Sequence, residues 1–488
     1  MKPAHPTPAP FTPALARIVA TVSVGFVVTQ LDVTIVNIAL ARIATELNAS
    51  VDRLQWIVDA YTLAFAVLML LGGVLGERYG ARRMYAMGLV VFALASLACG
   101  LANAPVALIA ARAVQGAGAA MMLPNSLALL NEACRHDGAL RARAVALWTA
   151  AGAISIAMGP VAGGLLIAAF GWRSIFLVNL PLCAAGLAAT LAWIPAPHPA
   201  ANTRTGETQP RAARSLDVRG QLLAIVALTA LTGAVIEWRP LGFTHPAVAG
   251  GFVVAFIAGC AFILLESRVA DPMLPLAMLR NRTFSAAVLF GVCVNLAYYG
   301  TIFVLALYLQ HARGESPLQA GLAFVPLTGG FLLSNLASGH AVARYGTRAP
   351  MIVGALVAAT GYALLSFVDA ATPLAALLVP FLLIPLGMGL AVPAMTTTVL
   401  ASVEPARAGT ASALLNTARQ TGGAVGVAAF GALTATGTAS HVVAGLHADT
   451  VISTALLLVA VVLAWYVRPD TAHAPRRTAT APQLDGTR

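Results

Sequence analysis

The stretch from Phe26 to Leu40, FVVTQLDVTIVNIAL, places Asp32 inside an otherwise apolar run, with Gln30 and Asn37 close by. A carboxylate in hydrocarbon costs about 2.5–3.5 kcal/mol even on lenient insertion scales. An interhelical hydrogen bond in a membrane returns only about 0.6 kcal/mol on average, so structure alone is a weak reason for the acid. Binding and releasing a proton is a stronger one, since desolvation penalises the charged form of a carboxyl and brings its titration toward neutral pH. Val33 and Val36 supply Asp32 with apolar neighbours. Further polar groups sit in similar surroundings. Arg112 lies mid-segment in LIAARAVQGAGAA; a guanidinium stays protonated and needs an acidic or carbonyl partner there. Asp59, in QWIVDAYTL, is either a substrate or cation group or a solvated rim residue, with Trp56 and Tyr61 as belt aromatics. Asn295 and Tyr299 stand four apart on one helix face, which suits an amphiphilic ligand, while Tyr308, Gln310 and His311 beyond them fit an interface. Arg419, with Asn416 and Gln420 in NTARQTGG, reads as cavity lining or as helix packing.

The elements that carry these residues must be membrane helices. Of 488 residues, 59% are hydrophobic and 10% charged, and mean hydropathy is +0.84; soluble domains average roughly 25% charged residues. Apolar runs of about 20 residues, each long enough to span a bilayer, recur at 15–40, 54–75, 84–102, 105–131, 144–169, 174–195, 219–238, 247–267, 284–310, 319–342, 350–368, 373–399, 408–434 and 449–467. That predicts an all-α membrane protein with fourteen spans. The first run is too long for a signal-peptide core. Twenty-two of the 29 basic residues then fall on one side of the membrane, five on the other, and Arg112 and Arg419 inside helices. By the positive-inside rule both termini are expected in the cytoplasm. The net charge of +11 is thus a topology signal and excludes a nucleic-acid role. Five scattered cysteines show no metal or disulfide spacing and are expected to be small buried residues.

One long hydrophilic break, Pro195 to Gly220, has linker composition. The expected organisation is a tail (1–14), a six-helix bundle (15–195), a linker (196–218), two inserted helices (219–267), a second six-helix bundle (284–467) and a tail (468–488). A repeat links the bundles. GGVLGERYGARRM follows the second helix and SGHAVARYGTRAP the tenth: Gly73, Arg78, Tyr79, Gly80 and Arg82 match Gly339, Arg344, Tyr345, Gly346 and Arg348 at identical spacing. Five matches in register between two hydrophobic spans indicate duplication. Paired bundles around a midplane cavity suit alternating access. Glu237 and Glu266, at ends of the inserted helices, are expected to be solvated.

Six motifs in order, LDVTIVNIAL, GVLGERYGARR, LIAARAVQGAGAA, GAISIAMGPVAGG, GWRSIFLVNLP and NTARQTGGAVG, give the chain its kinship. It resembles the major facilitator superfamily, and within it the fourteen-helix drug:proton antiporters of methylenomycin-resistance type, as WIVDAYTLAFA and LYLQHARGESPLQAG also suggest. The resemblance implies that Asp32 carries protons and Arg112 modulates it; a fixed interhelical clamp is the alternative for Arg112. It implies that Gly73, Glu77, Arg78, Gly80 and Arg82 form a conformational latch, and that the seam of Gly159, Pro160, Gly163 and Gly164 controls closure. Gln30, Asn37, Asp59, Asn295, Tyr299, Asn416 and Arg419 are the expected cavity residues. Two departures stand out: Glu77 replaces the usual aspartate, and the second copy of the loop has Ala343.

The expected activity is proton-coupled export of small amphiphilic organic compounds across the cytoplasmic membrane, by a monomer in the lipid bilayer, with protons as coupling ion and no cofactor or metal. An importer or facilitator on the same fold is the alternative. A non-transporting sensor is disfavoured, as is an enzyme, for want of a His/Cys/Asp cluster at ligand spacing.

Overall fold

A backbone without water must satisfy its own polar groups, so long apolar runs fold as helices. The computed structural model describes residues 12–134, 138–195, 217–269, 276–403, 408–434 and 439–468, and among them no strand occurs. The expected tails and central linker lie for the most part outside these residues. Six long helices come first: α1 (Pro13–Glu46), α2 (Val51–Tyr79), α3 (Ala81–Leu101), α4 (Pro105–Ala133), α5 (Gly138–Phe170) and α6 (Asn179–Trp193). Two more follow, α7 (Val218–Leu241) and α8 (Pro246–Glu266). The last six are α9 (Arg282–Leu307), α10 (Val325–Tyr345), α11 (Arg348–Leu365), α12 (Leu374–Ala401), α13 (Ala408–Ala432) and α14 (Ala439–Trp465). The last helix therefore starts ten residues before the expected 449, and α1 runs beyond 40 to Glu46.

Among the described residues thirteen helices are long and apolar enough to cross a membrane. The exception is α13, whose Asn416, Arg419 and Gln420 lower its hydropathy. It packs against α2, α7 and α9, so protein shields the helix that lipid would reject.

The duplication read from the loops extends to packing. In the first half α1 packs on α4, α5 and α6, α2 on α4, and α3 on α4 and α6; in the second α9 packs on α12, α13 and α14, α10 on α12, and α11 on α12 and α14. The seam obeys the same relation, since α2 meets α13 and α5 meets α10. Gly80 and Gly346 explain the shared loop spacing. Both close the turn after a long helix with positive φ, +96° and +71°, a region open to glycine and strained for other residues.

The inserted helices pack on each other, and α7 alone bridges α2 and α13. Only 11% of the span of α8 is buried, so Cys260 on it is exposed, against expectation. Glu266 is also a correction. It is 2% exposed, because the antiparallel pairing of α7 and α8 lays its carboxylate beside Gly220 in the first turn of α7.

Close helix crossings rest on glycine. A Cβ on Gly118 of α4 would stand 2.8 Å from the Phe92 nitrogen of α3, whereas one on Gly250 of α8 meets nothing within 4 Å. Gly118→Ala should therefore cost about 1–3 kcal/mol of stability. In detergent-purified protein the thermal unfolding midpoint falls for Gly118→Ala and is unchanged for Gly250→Ala.

Candidate functional site

Asp32 lies five turns into α1, fully buried. Its Oδ2 pairs with Arg112 Nη1 from α4. Its Oδ1 accepts from Gln115 Nε2 of α4 at 2.9 Å and from Asn179 Nδ2, the first residue of α6, at 3.3 Å. Arg112 is tied further: Nε donates to Ile57 O of α2 at 3.0 Å and Nη1 to Gln115 Oε1 at 2.7 Å. Its guanidinium lies 4.3 Å from the ring centroid of Tyr61, a favourable cation–π approach. Ser96 Oγ of α3 accepts from Gln115 Nε2 at 2.8 Å and from Asn179 Nδ2 at 3.4 Å. Five of the first six helices thus meet at one carboxylate. Sequence reasoning paired Asp32 with Arg112 only through the resemblance, and it overlooked Ser96, Gln115 and Asn179. The available signal was Gln115 standing three residues after Arg112, on the same helix face.

The expected cavity residues divide. Asn37 donates to Val33 O at 2.9 Å, Asn295 to Gly291 O at 2.8 Å and Asn416 to Ser412 O at 3.0 Å, so all three amides bond to their own helices. Gln30 is half-buried on α1. Asp59 is no rim residue: it is fully buried, Thr62 Oγ1 reaches its Oδ1 at 3.5 Å, and its Oδ2 has no partner. Arg419 is half-buried with an unpartnered Nε, inside a half-exposed stretch of α13 from Asn416 to Thr421. Tyr299 lies on Gly423, one turn from Arg419. Gln55, one turn before Asp59, donates to Ala428 O at 2.7 Å and Val427 O at 3.2 Å. From that contact between α2 and α13, Asp59 lies one turn further along α2 and Arg419 about two and a half turns back along α13, its stem against Gly291 of α9; neither is ion-paired among the described residues.

The halves close on the charge-poor face. Among the described residues the hydrogen bonds that join them are those of Gln55 and one from Thr328 Oγ1 to Ala157 O at 3.1 Å. The α5 glycines pack accordingly. Gly159 and Gly163 lie against Thr34 and Ile35 of α1, Gly164 against Pro317 and Leu318 of the other half, and Gly321 against the carbonyl of Pro160. On the basic face Glu77, Arg78, Arg83, Arg344 and Tyr345 are exposed. Gly73 contacts Pro124, and Arg82 binds the last carbonyls of α6, Leu191 O at 3.0 Å and Thr190 O at 3.4 Å. That is a helix C-cap by a cation. Its repeat partner Arg348 sits 4.3 Å over Trp465 at the end of α14.

One further buried acid went unweighed in the sequence because the last helix was expected to begin at it. Asp449 lies inside α14 and accepts from Thr301 Oγ1 of α9 at 2.9 Å and from Ser453 Oγ at 3.2 Å.

Comparisons with known proteins fit this architecture. The family model described as Major Facilitator Superfamily matches residues 22–427 and again 287–485. The chain belongs to the Major Facilitator Superfamily. A methylenomycin A resistance protein of Streptomyces coelicolor is 41% identical over 85% of this chain and 84% of its own length. A protein of the same name from Bacillus subtilis is 36% identical over 84% and 86%. The puromycin resistance protein pur8 of Streptomyces alboniger is 36% identical over 92% and 91%. Among solved structures, the nucleoside transporter NupG superimposes with a TM-score of 0.64 at 12% identity, covering 92% of this chain and 99% of that one; this likeness concerns the fold.

Breaking one side of a buried ion pair typically costs about 3–5 kcal/mol. The two sides differ here, because a stranded carboxylate can take up a proton and a stranded guanidinium cannot lose one. Asp32→Asn should therefore lower the thermal midpoint more than Arg112→Gln, with the double variant recovering part of the loss. A thermal double-mutant cycle in detergent reads this directly.

Proposed function

We propose that this superfamily member is a proton-coupled antiporter that exports small amphiphilic organic compounds from the cytoplasm by alternating access. The observation that carries the reading is Asp32, a fully buried carboxylate held by Arg112, Gln115 and Asn179 at the meeting point of five helices. Protonation removes the charge that Arg112 binds, so it changes the interactions of helices α1, α3, α4 and α6 together. A proton thereby acquires leverage over the packing of a whole bundle.

The basic face is cytoplasmic on this reading. The charge-poor face is sealed by Gln55, Thr328 and the α5 glycines. The conformation is then the cytoplasm-facing one, with Asp32 ionised and the Glu77–Arg82 loop released from any latch. The two six-helix groups are the moving bodies. Substrate occupies the seam near Asp59, Arg419 and Tyr299, where unpartnered polar atoms and an aromatic face suit an amphiphile. Outward-facing protonation of Asp32 displaces the substrate, and release of the proton to the cytoplasm resets the pair. The names of the relatives, resistance proteins against methylenomycin A and puromycin, support export of antibiotic-like molecules.

The driving force is sufficient. A membrane potential contributes about 2.3 kcal/mol per charge per 100 mV, so one proton supports roughly a fifty-fold gradient of a neutral compound at 1.4 kcal/mol per decade.

Inverted vesicles from a pump-deficient host test the scheme. Methylenomycin A, puromycin or a cationic dye should dissipate a preformed pH gradient, and Asp32→Asn should reduce uphill transport by at least about tenfold, the weight of one proton per pH unit. A panel in which no compound moves protons would overturn coupling. Full uphill transport by Asp32→Asn would overturn the role of that residue.

A further inference from the structure

The second half repeats the packing of the first, so the helix set α1, α3 and α6 around Asp32 corresponds to α9, α11 and α14. A second polar centre occupies that corresponding place. Asp449 of α14 is fully buried, and Oδ1 accepts from Thr301 of α9 and Ser453 of α14. Tyr362 of α11 lies within electrostatic reach of it. Each half therefore holds one carboxyl where its first, third and sixth helices meet. The two differ in one respect. Asp32 has a guanidinium; Asp449 has no cation within ion-pairing distance among the described residues, and its Oδ2 has no hydrogen-bond partner.

The groups around Asp449 offer no counter-charge. From α9 comes the Thr301 hydroxyl, and from α11 comes Tyr362, with Tyr298 of α9 beside that ring. The π-helical turn Tyr308–Ala312 also packs on α14, but its Tyr308 hydroxyl donates to Asp369 O at 2.6 Å, and its other titratable group is His311. On α14 itself His447 bonds to Val368 O at 2.7 Å. From α13, Arg419 makes no ion pair with it. An isolated carboxylate in such a place is far costlier than its neutral form. The neutral form fits the same surroundings, because a proton on Oδ1 can be donated to the Thr301 or Ser453 hydroxyl, 2.9 and 3.2 Å away. A carboxyl held by hydroxyls alone, with Oδ2 free, is neutral here and needs further partners in any conformation where it is charged.

We propose that Asp449 is a second proton-carrying carboxyl, so that the transporter has one such acid in each half and the two alternate between the charged and neutral forms. In the present conformation Asp32 is the charged member and Asp449 the neutral one. The step is an acid–base exchange: H⁺ from water on the charge-poor side forms an O–H bond on the Asp449 carboxyl, and that bond later breaks to return H⁺ to water on the basic side. Asp449 lies ten residues into α14, about 15 Å from its charge-poor end. The assignment rests on the proton-coupled reading above.

Infrared difference spectra of the full chain in liposomes, taken across an acid-to-alkaline step, test it without a substrate. The protonated-carboxyl band should contain a component that disappears on alkalinisation, is absent in Asp449→Asn, and returns at a shifted frequency in Asp449→Glu, which also guards against misfolding. The Asp32→Asn spectrum should retain it. A component of Asp449 that survives the alkaline step would mark a permanently protonated structural acid and overturn the proposal, as would an Asp449→Asn spectrum identical to that of the parent. Loss of the Asp32 component alone from the parent spectrum would instead count against the primary coupling site and leave Asp449 standing.

Discussion

A single buried ion pair organises the first half of the molecule. Asp32 and Arg112 are each almost wholly removed from solvent, at 0% and 1% exposure, and each charge would be costly alone in an apolar span. Gln115, Asn179 and Ser96 complete the shell, so five helices are held to one carboxylate. Such a pair adds little net stability over a well-packed apolar core. What it supplies is geometry, because Arg112 and the amides around Asp32 fix how α1, α4 and α6 meet.

Around that centre the protein is a twofold object with one asymmetry. The helix pairings of the two halves match, the seam pairs α2 with α13 and α5 with α10, and Gly80 and Gly346 turn the chain alike. The chemistry is not duplicated. The acid sits on α1 with an arginine in one half and on α14 with hydroxyls in the other. Symmetry at the level of the backbone thus coexists with side chains that give the two halves different polar centres.

Much of this was legible in the chain. Fourteen helices, the repeat and the intramembrane charges follow from hydropathy, spacing and the cost of desolvation. Asp32 and Arg112 announced themselves because charges are rare in such spans. Gln115, Ser96 and Asn179 did not, because uncharged polar residues scattered through helices carry no sign of which neighbour they meet. Asp449 was hidden by an element boundary: treated as the first residue of a helix it would be wet, whereas ten residues inside α14 it is buried. Glu266 failed in the opposite way, since the pairing of α7 with α8 covers a carboxylate that a helix end would ordinarily expose. Arg82 shows a different limit. A loop arginine was expected to act between moving parts, yet here it caps α6 within its own half.

The α7–α8 hairpin gives the molecule an unequal perimeter. Because α7 lies across both α2 and α13, that flank is shuttered against the acyl chains, and the greasy outer surface of α8 is its shingle. The flank between α5 and α10 carries no such cover among the described residues. A bulkier side chain on the outer face of the α5–α10 seam would consequently meet acyl chains, whereas one between α2 and α13 would meet α7.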